Sequence, residues 1–157
     1  MAPSENSSVA AVVIDLMLEV VDFVSIGSND LVQYLTAADR DNPKVSHLCQ
    51  PLAPAVVRTL DNVIKACNAA GKPVTLCGEM AGSPRGFVVL YAMGLRSFSM
   101  SPAFIPTIKE LCSHLTRSVG NDILAHALCL KTTSNVNRYL AEQIHRLAPN
   151  IELLDMA

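Results

Sequence analysis

Three short apolar runs, each ending in small polar residues and each followed by a stretch of helical period, constrain this chain more than anything else in it. The runs are DFVSIG at 22–27, PVTL at 73–76 and LRSFSM at 95–100. Runs this short, β-branched or aromatic and bounded by Gly, Pro or Ser, read as strands. Between the first two, Val56, Val57, Leu60, Val63, Ile64 and Cys67 recur at three and four residues, which is the period of one buried helix face. Ala70-Gly71-Lys72-Pro73 stops that helix, and GSPRGFVVLYAMG reads as a turn and helix before the third run. Strands alternating with helices imply parallel strands joined by right-handed crossovers and covered by helices. The expected fold class is therefore α/β.

The ends of the chain read differently. MAPSENSS is polar and Pro-containing, so 1–8 are expected to be a disordered N-terminus. From Val9 on, Val12, Val13, Leu16, Met17 and Val20 fall on one helical face, and Ser28 and Asn29 are expected to cap a helix over 31–38. A helix over 104–115 should turn Ile105, Ile108, Leu111, Cys112 and Leu115 inward. Beyond it, 121–130 and 134–147 read as helices with no strand between, the latter with Val136, Leu140, Ile144 and Leu147 on one face. This divides the chain into an α/β unit over 9–117 and a helical extension over 118–157.

Charge and composition narrow the function classes. A formal charge of -2, no basic stripe and only three Tyr and four Phe leave nothing to hold or stack nucleic acid. Asp15, Glu19 and Asp22 interrupt the only apolar candidate for a membrane span, and no Lys or Arg before Arg40 supplies a signal peptide's positive end. Five cysteines without a C-x-x-C pair point to reduced thiols rather than a disulfide frame or structural metal. The expectation is a cytoplasmic protein.

In parallel sheets, ligands gather at the carboxyl ends of the strands. The residues standing there are Ser28-Asn29-Asp30, Cys77-Gly78-Glu79 and Ser99-Met100-Ser101. Asp30 offers a hard oxygen suited to Mg²⁺, which takes one or two carboxylates together with substrate oxygens. Asn29 near a helix start adds a donor, the neighbouring glycines let backbone approach a phosphate, and Arg40 could grip the same anion with a bidentate fork. Cys77 is the proton-transfer group of the set, as thiolate nucleophile or as acid. Each residue also has a plainer role: Cys77 as a small core residue, Asp30 as a helix cap, Arg40 in a loop ion pair with Asp39 or Asp41, Glu79 as a loop hydrogen-bonder. What sets them apart is their common placement at one rim.

SIGSNDLVQYLTAADRDNP, followed by QPLAPAV, KPVTLCGEMAG and LRSFSMSP, resembles the C-terminal phosphoenolpyruvate-binding barrel of the phosphoenolpyruvate-protein phosphotransferases, enzyme I of the sugar phosphotransferase system. SIGSNDLVQ and PVTLCGEMAG are closer to the nitrogen-related form of that family than to the sugar form. Pyruvate phosphate dikinases and phosphoenolpyruvate synthases share some of these pieces, but the Gln-Pro-Leu and Glu-Met-Ala-Gly blocks favour the phosphotransferases.

The resemblance implies a specific chemistry. Phosphoenolpyruvate would give its phosphoryl group to a histidine on a separate domain, Mg²⁺ would bridge substrate oxygens, and a cysteine would protonate the enolate to give pyruvate. Carried onto this chain, Asn29 and Asp30 contact the phosphate and the metal, Arg40 holds the phosphate and Cys77 is the proton donor. The implied fold is a partial (β/α)8 TIM barrel, about the last three strand-helix units, with extra C-terminal helices. A closed barrel needs eight strands and roughly 250 residues. The family's second metal carboxylate has no counterpart before Asp22, where Glu19 is a poor substitute, and the earlier substrate arginines and the phosphorylatable histidine are also absent. The chain alone is thus expected to be inactive, with a phosphocarrier protein reached through the missing N-terminal domain. A non-catalytic truncated interaction or oligomerisation module is the alternative, because three strands cannot close and their edges invite self-association.

Overall fold

The computed structural model describes residues 7–151. The disorder expected over 1–8 lies outside the described residues except at Ser7 and Ser8, which open the first helix. In chain order the elements are α1 (Ser7–Val12), α2 (Ile14–Met17), β1 (Val24–Gly27), α3 (Ser28–Thr36), α4 (Pro54–Ala69), β2 (Val74–Cys77), α5 (Glu79–Gly82), α6 (Pro84–Ala92), β3 (Ser97–Ser99), α7 (Ile105–His114), α8 (Arg117–Cys129) and α9 (Thr133–Leu147). No described helix is long and apolar enough to cross a membrane.

The three strands form one parallel sheet in the order β1-β2-β3. Register sorts its side chains onto two unlike faces. Val24, Ile26, Val74, Leu76 and Phe98 belong to the hydrophobic core that the helices complete. On the other face Ser25 lies opposite Thr75, and Thr75 opposite Ser97, with Cys77 opposite Ser99 one step further on. Ser25, Ser97 and Ser99 are exposed there, and Thr75 and Cys77 are half-buried. Parallel sheets as a rule have both faces covered. This sheet has one covered, apolar face and one open, hydroxyl-rich face.

The covered face is built as the periodicity predicts. Leu60 and Ile64 of α4, Leu76 of β2, Leu90 of α6, and Leu140 and Ile144 of α9 are all fully buried. Burial of such side chains stabilises by about 1.5–3 kcal/mol each. Thr116 and Thr132 cap α8 and α9, accepting from the Val119 and Asn135 amides at 3.3 and 3.2 Å.

Two expectations need correction. Most of the apolar stripe expected of the first helices faces outward: Val9, Val12, Leu16 and Val20 are exposed, Val20 to 83%, while Val13 and Met17 are half-buried. A helical period identifies a face but not the surface that receives it, and among the described residues nothing covers that side. On α7, Ile108 and Leu111 and the following Leu115 are buried as expected, whereas Ile105 is 40% exposed and Cys112 is exposed. That helix is short and lies at the edge of the core, so only the narrower stripe is covered.

Candidate functional site

The ends of β1 and β2 are tied together by the residues that follow them. Ser28 and Asn29 do not cap a later helix. They are its first two residues, Gly27 is the N-cap, and no side chain caps α3. Their polar groups serve across the strands instead: the Ser28 hydroxyl donates to the Cys77 carbonyl at 3.0 Å, and Asn29 Oδ1 accepts from the Glu79 amide at 3.4 Å. Because β1 runs into α3 without a turn, the first helical side chains land against the loop after β2. That loop turns through Gly78, whose φ of 115° lies in a region L-residues avoid.

Asp30 lies on the same strand end, its Oδ2 3.6 Å from the point a Cβ on Gly27 would occupy. It is exposed and makes no hydrogen bond or ion pair among the described residues, so it does not cap the helix. Cys77 closes β2 on the open face, half-buried, with its Sγ 3.6 Å from the Ile26 carbonyl.

Arg40 arrives from the segment after α3. Ala37, left-handed at φ 51°, ends that helix, and Asp39 Oδ1 accepts from the Asp41 amide at 2.9 Å to form a local turn. The Cys49 thiol, donating to the Ala38 carbonyl at 3.1 Å, fastens the far end of the segment. Arg40 makes no ion pair with Asp39 or Asp41; the ion pair found among the described residues is Lys65–Asp61. The guanidinium is therefore available to a ligand.

Asn29 and Arg40 line one cleft of about 800 Å³, together with Asp41, Glu79, Arg85 and Asn137. A cleft of this size suits a small metabolite. Asp30 and Cys77 are not on its walls; they stand at the adjoining strand ends. Among the described residues no three of His, Cys, Asp and Glu converge to hold a metal by themselves. Sequence reasoning missed Arg85 and Asn137. Arg85 follows the Ser83 N-cap and Pro84 at the start of α6, a position that could have flagged it. Asn137 comes from α9, and no local signal connects it to the rim.

The remaining thiols separate by environment. Cys67 is fully buried on α4 and burial pushes its thiol above the usual pKa, whereas Cys112 and Cys129 are exposed. Native-state labelling with an aromatic disulfide should modify Cys112 and Cys129 fast, Cys49 and Cys77 more slowly, and Cys67 only on unfolding. Fast labelling of Cys67 would contradict the packing of α4.

Residues 5–117 match the family model described as PEP-utilising enzyme, PEP-binding domain. The phosphoenolpyruvate-protein phosphotransferase of Streptococcus equinus is 49% identical over 119 residues, covering 76% of this chain and 21% of the relative. That of Bacillus subtilis (strain 168) is 41% identical over 132 residues, covering 84% and 23%. That of Priestia megaterium is 40% identical over 136 residues, covering 87% and 24%. The chain spans under a quarter of the length of these curated relatives.

Proposed function

This chain belongs to the PEP-binding domain family of PEP-utilising enzymes, and from that premise we propose that it is the C-terminal, phosphoenolpyruvate-binding portion of a phosphoenolpyruvate-protein phosphotransferase of the nitrogen-related form. The observation that carries the reading is the shared cleft of Asn29 and Arg40, an unpaired guanidinium and an amide, beside the strand ends that bear Asp30 and Cys77. The barrel assignment draws support from three parallel strands in sequential order with helices packed on one face. The wording of the SIGSNDLVQ and PVTLCGEMAG segments supports the nitrogen-related form.

In this mechanism Arg40 grips two phosphate oxygens of phosphoenolpyruvate and Asn29 donates to a third. Asp30, exposed and unpartnered among the described residues, would hold Mg²⁺ as a single carboxylate ligand from this chain. The metal, when bound, neutralises charge on the phosphoryl group. The bond between phosphorus and the enol oxygen breaks as one forms to a histidine nitrogen on another domain. Cys77 then gives its thiol proton to the methylene carbon of the enolate, which becomes pyruvate, and solvent reprotonates the thiolate. The parent enzyme would be cytoplasmic, its acceptor domain passing phosphate to a phosphocarrier protein.

Titrating phosphoenolpyruvate with Mg²⁺ against the chain should raise its melting point, by linkage equivalent to about 2.7 kcal/mol at a hundredfold excess over Kd. Arg40→Ala should weaken that binding by roughly 10- to 150-fold, the loss of a charge-assisted contact of about 1.5–3 kcal/mol. Cys77→Ser should leave binding intact, since the thiol acts on the proton and not on affinity. A second reading, a non-catalytic homo-oligomerising module, is favoured by the open sheet face and the exposed Val12, Leu16, Val20 and Phe23. It would be preferred if phosphoenolpyruvate gave no stabilisation at any concentration while sedimentation showed a stable oligomer.

A further inference from the structure

A second cleft lies at the other end of the sheet. It opens where α4, α6 and α8 meet, and encloses about 470 Å³. Its polar walls are Lys65, Asn68, Arg96, Arg117 and Asn121, and among the described residues no Asp or Glu lines it. Asn68 belongs to the helix before β2 and Arg96 immediately precedes β3, so the cleft faces the amino ends of the strands, away from Cys77. Lys65, Arg96 and Arg117 bring three cations to this one concavity.

The cations are not equivalent. Lys65 is already paired with Asp61 at 2.7 Å, so Arg96 and Arg117 carry the uncompensated charge. Arg96 is pre-organised: its guanidinium lies 4.0 Å over the Tyr91 ring, and Nη1 donates to the Tyr91 and Leu95 carbonyls at 2.7 Å each. Its Nε and Nη2 take no hydrogen bond among the described residues and leave a donor edge for a ligand. Arg117, at the start of α8, makes no ion pair among the described residues. An oxyanion between two such groups would gain charge-assisted hydrogen bonds, while the apolar Ala92, Leu124 and Leu128 accept the remainder of a small molecule.

We propose that this cleft binds a small organic oxyanion, a phosphate ester or polycarboxylate, between Arg96 and Arg117, independently of the rim that holds Asn29 and Arg40. Differential scanning fluorimetry of the chain at constant ionic strength, without Mg²⁺, tests it with inorganic pyrophosphate and citrate as probes. At least one should give a saturable rise in melting point; pyrophosphate alone would mark a phosphate-ester site, citrate alone a carboxylate site. Arg117→Gln should weaken the apparent affinity about tenfold. It disturbs no hydrogen bond among the described residues, so folding is preserved even if Arg96→Gln, which removes the Tyr91 contact, is not tolerated. Arg40→Ala should leave the Arg117-dependent part of the response in place. The proposal is overturned if neither probe saturates, if chloride at matched ionic strength stabilises equally, if Arg117→Gln changes nothing, or if Arg40→Ala abolishes the response.

Discussion

Gly78→Ala should lower the stability of the chain by about 2–3 kcal/mol, the range expected where a side chain is forced into backbone geometry that only glycine adopts freely. The strain has two sources. The φ of 115° is itself unfavourable for alanine, and the new Cβ would overlap the Ser28 hydroxyl and stand 3.1 Å from Asn29 Oδ1. Those are the two groups that lock the end of β1 to the loop after β2. The variant should therefore lose phosphoenolpyruvate binding as well as stability, since Asn29 would be pushed from the cleft it shares with Arg40. Gly71→Ala separates the causes. Gly71 also has a positive φ, 65°, but a Cβ there meets nothing within 4 Å. It should cost about 1–2 kcal/mol and leave ligand response unaltered. Equal effects of the two substitutions on binding, read by melting-point shift, would mean that the Ser28–Cys77–Asn29 lock does not shape the site.

Much of this arrangement was legible because it is local. β1 and β3 lie inside runs marked by composition and β2 extends one residue past its run, to Cys77; the buried stripe of α4 follows its period, and on α9 Val136, Leu140 and Ile144 are fully buried while Leu147 is half-buried. The order strand-helix-strand also placed Asn29, Asp30 and Cys77 at one end of the sheet, because parallel pairing leaves no other option. What local reading could not supply is the identity of partners across the fold. Ser28 and Asn29 are good capping residues in any sequence; only the approach of the Gly78 loop turns them into cross-strand ties. The outward stripe of Val9, Val12, Leu16 and Val20 has the same period as a core stripe, and the difference lies in what faces it. Asn137 reaches the first cleft, and Arg96 and Arg117 the second, from elements far apart in sequence, so their convergence has no signature before folding.

The unlike faces of the sheet make the sharpest stability contrast in the molecule, within one strand. Leu76→Ala should destabilise by about 2–5 kcal/mol, since a fully buried leucine removed from a core leaves both lost transfer energy and a cavity. Leu76 lies in the central strand between Ile26 and Phe98, so neither neighbour can collapse into the space without breaking register. Against a total of about 5–15 kcal/mol for a typical domain, that loss would shift the urea midpoint by a large fraction of its value. Thr75→Ala, one residue earlier and on the other face, gives up a hydrogen bond to the Ser97 carbonyl at 3.3 Å and a contact with the Ser97 hydroxyl at 3.2 Å. Being half-exposed, both groups can turn to water, and the change should stay within about 1 kcal/mol. Thr75→Arg then asks whether the open face is covered in solution. If the face meets water, arginine extends into solvent and the midpoint hardly moves with protein concentration. If two copies bury it against each other, the charge must be desolvated, the assembly dissociates, and the melting point falls most where concentration had raised it. Concentration-dependent unfolding of the parent chain that survives Thr75→Arg would place any self-association elsewhere, with the outward Val12–Val20 stripe the surface to examine next.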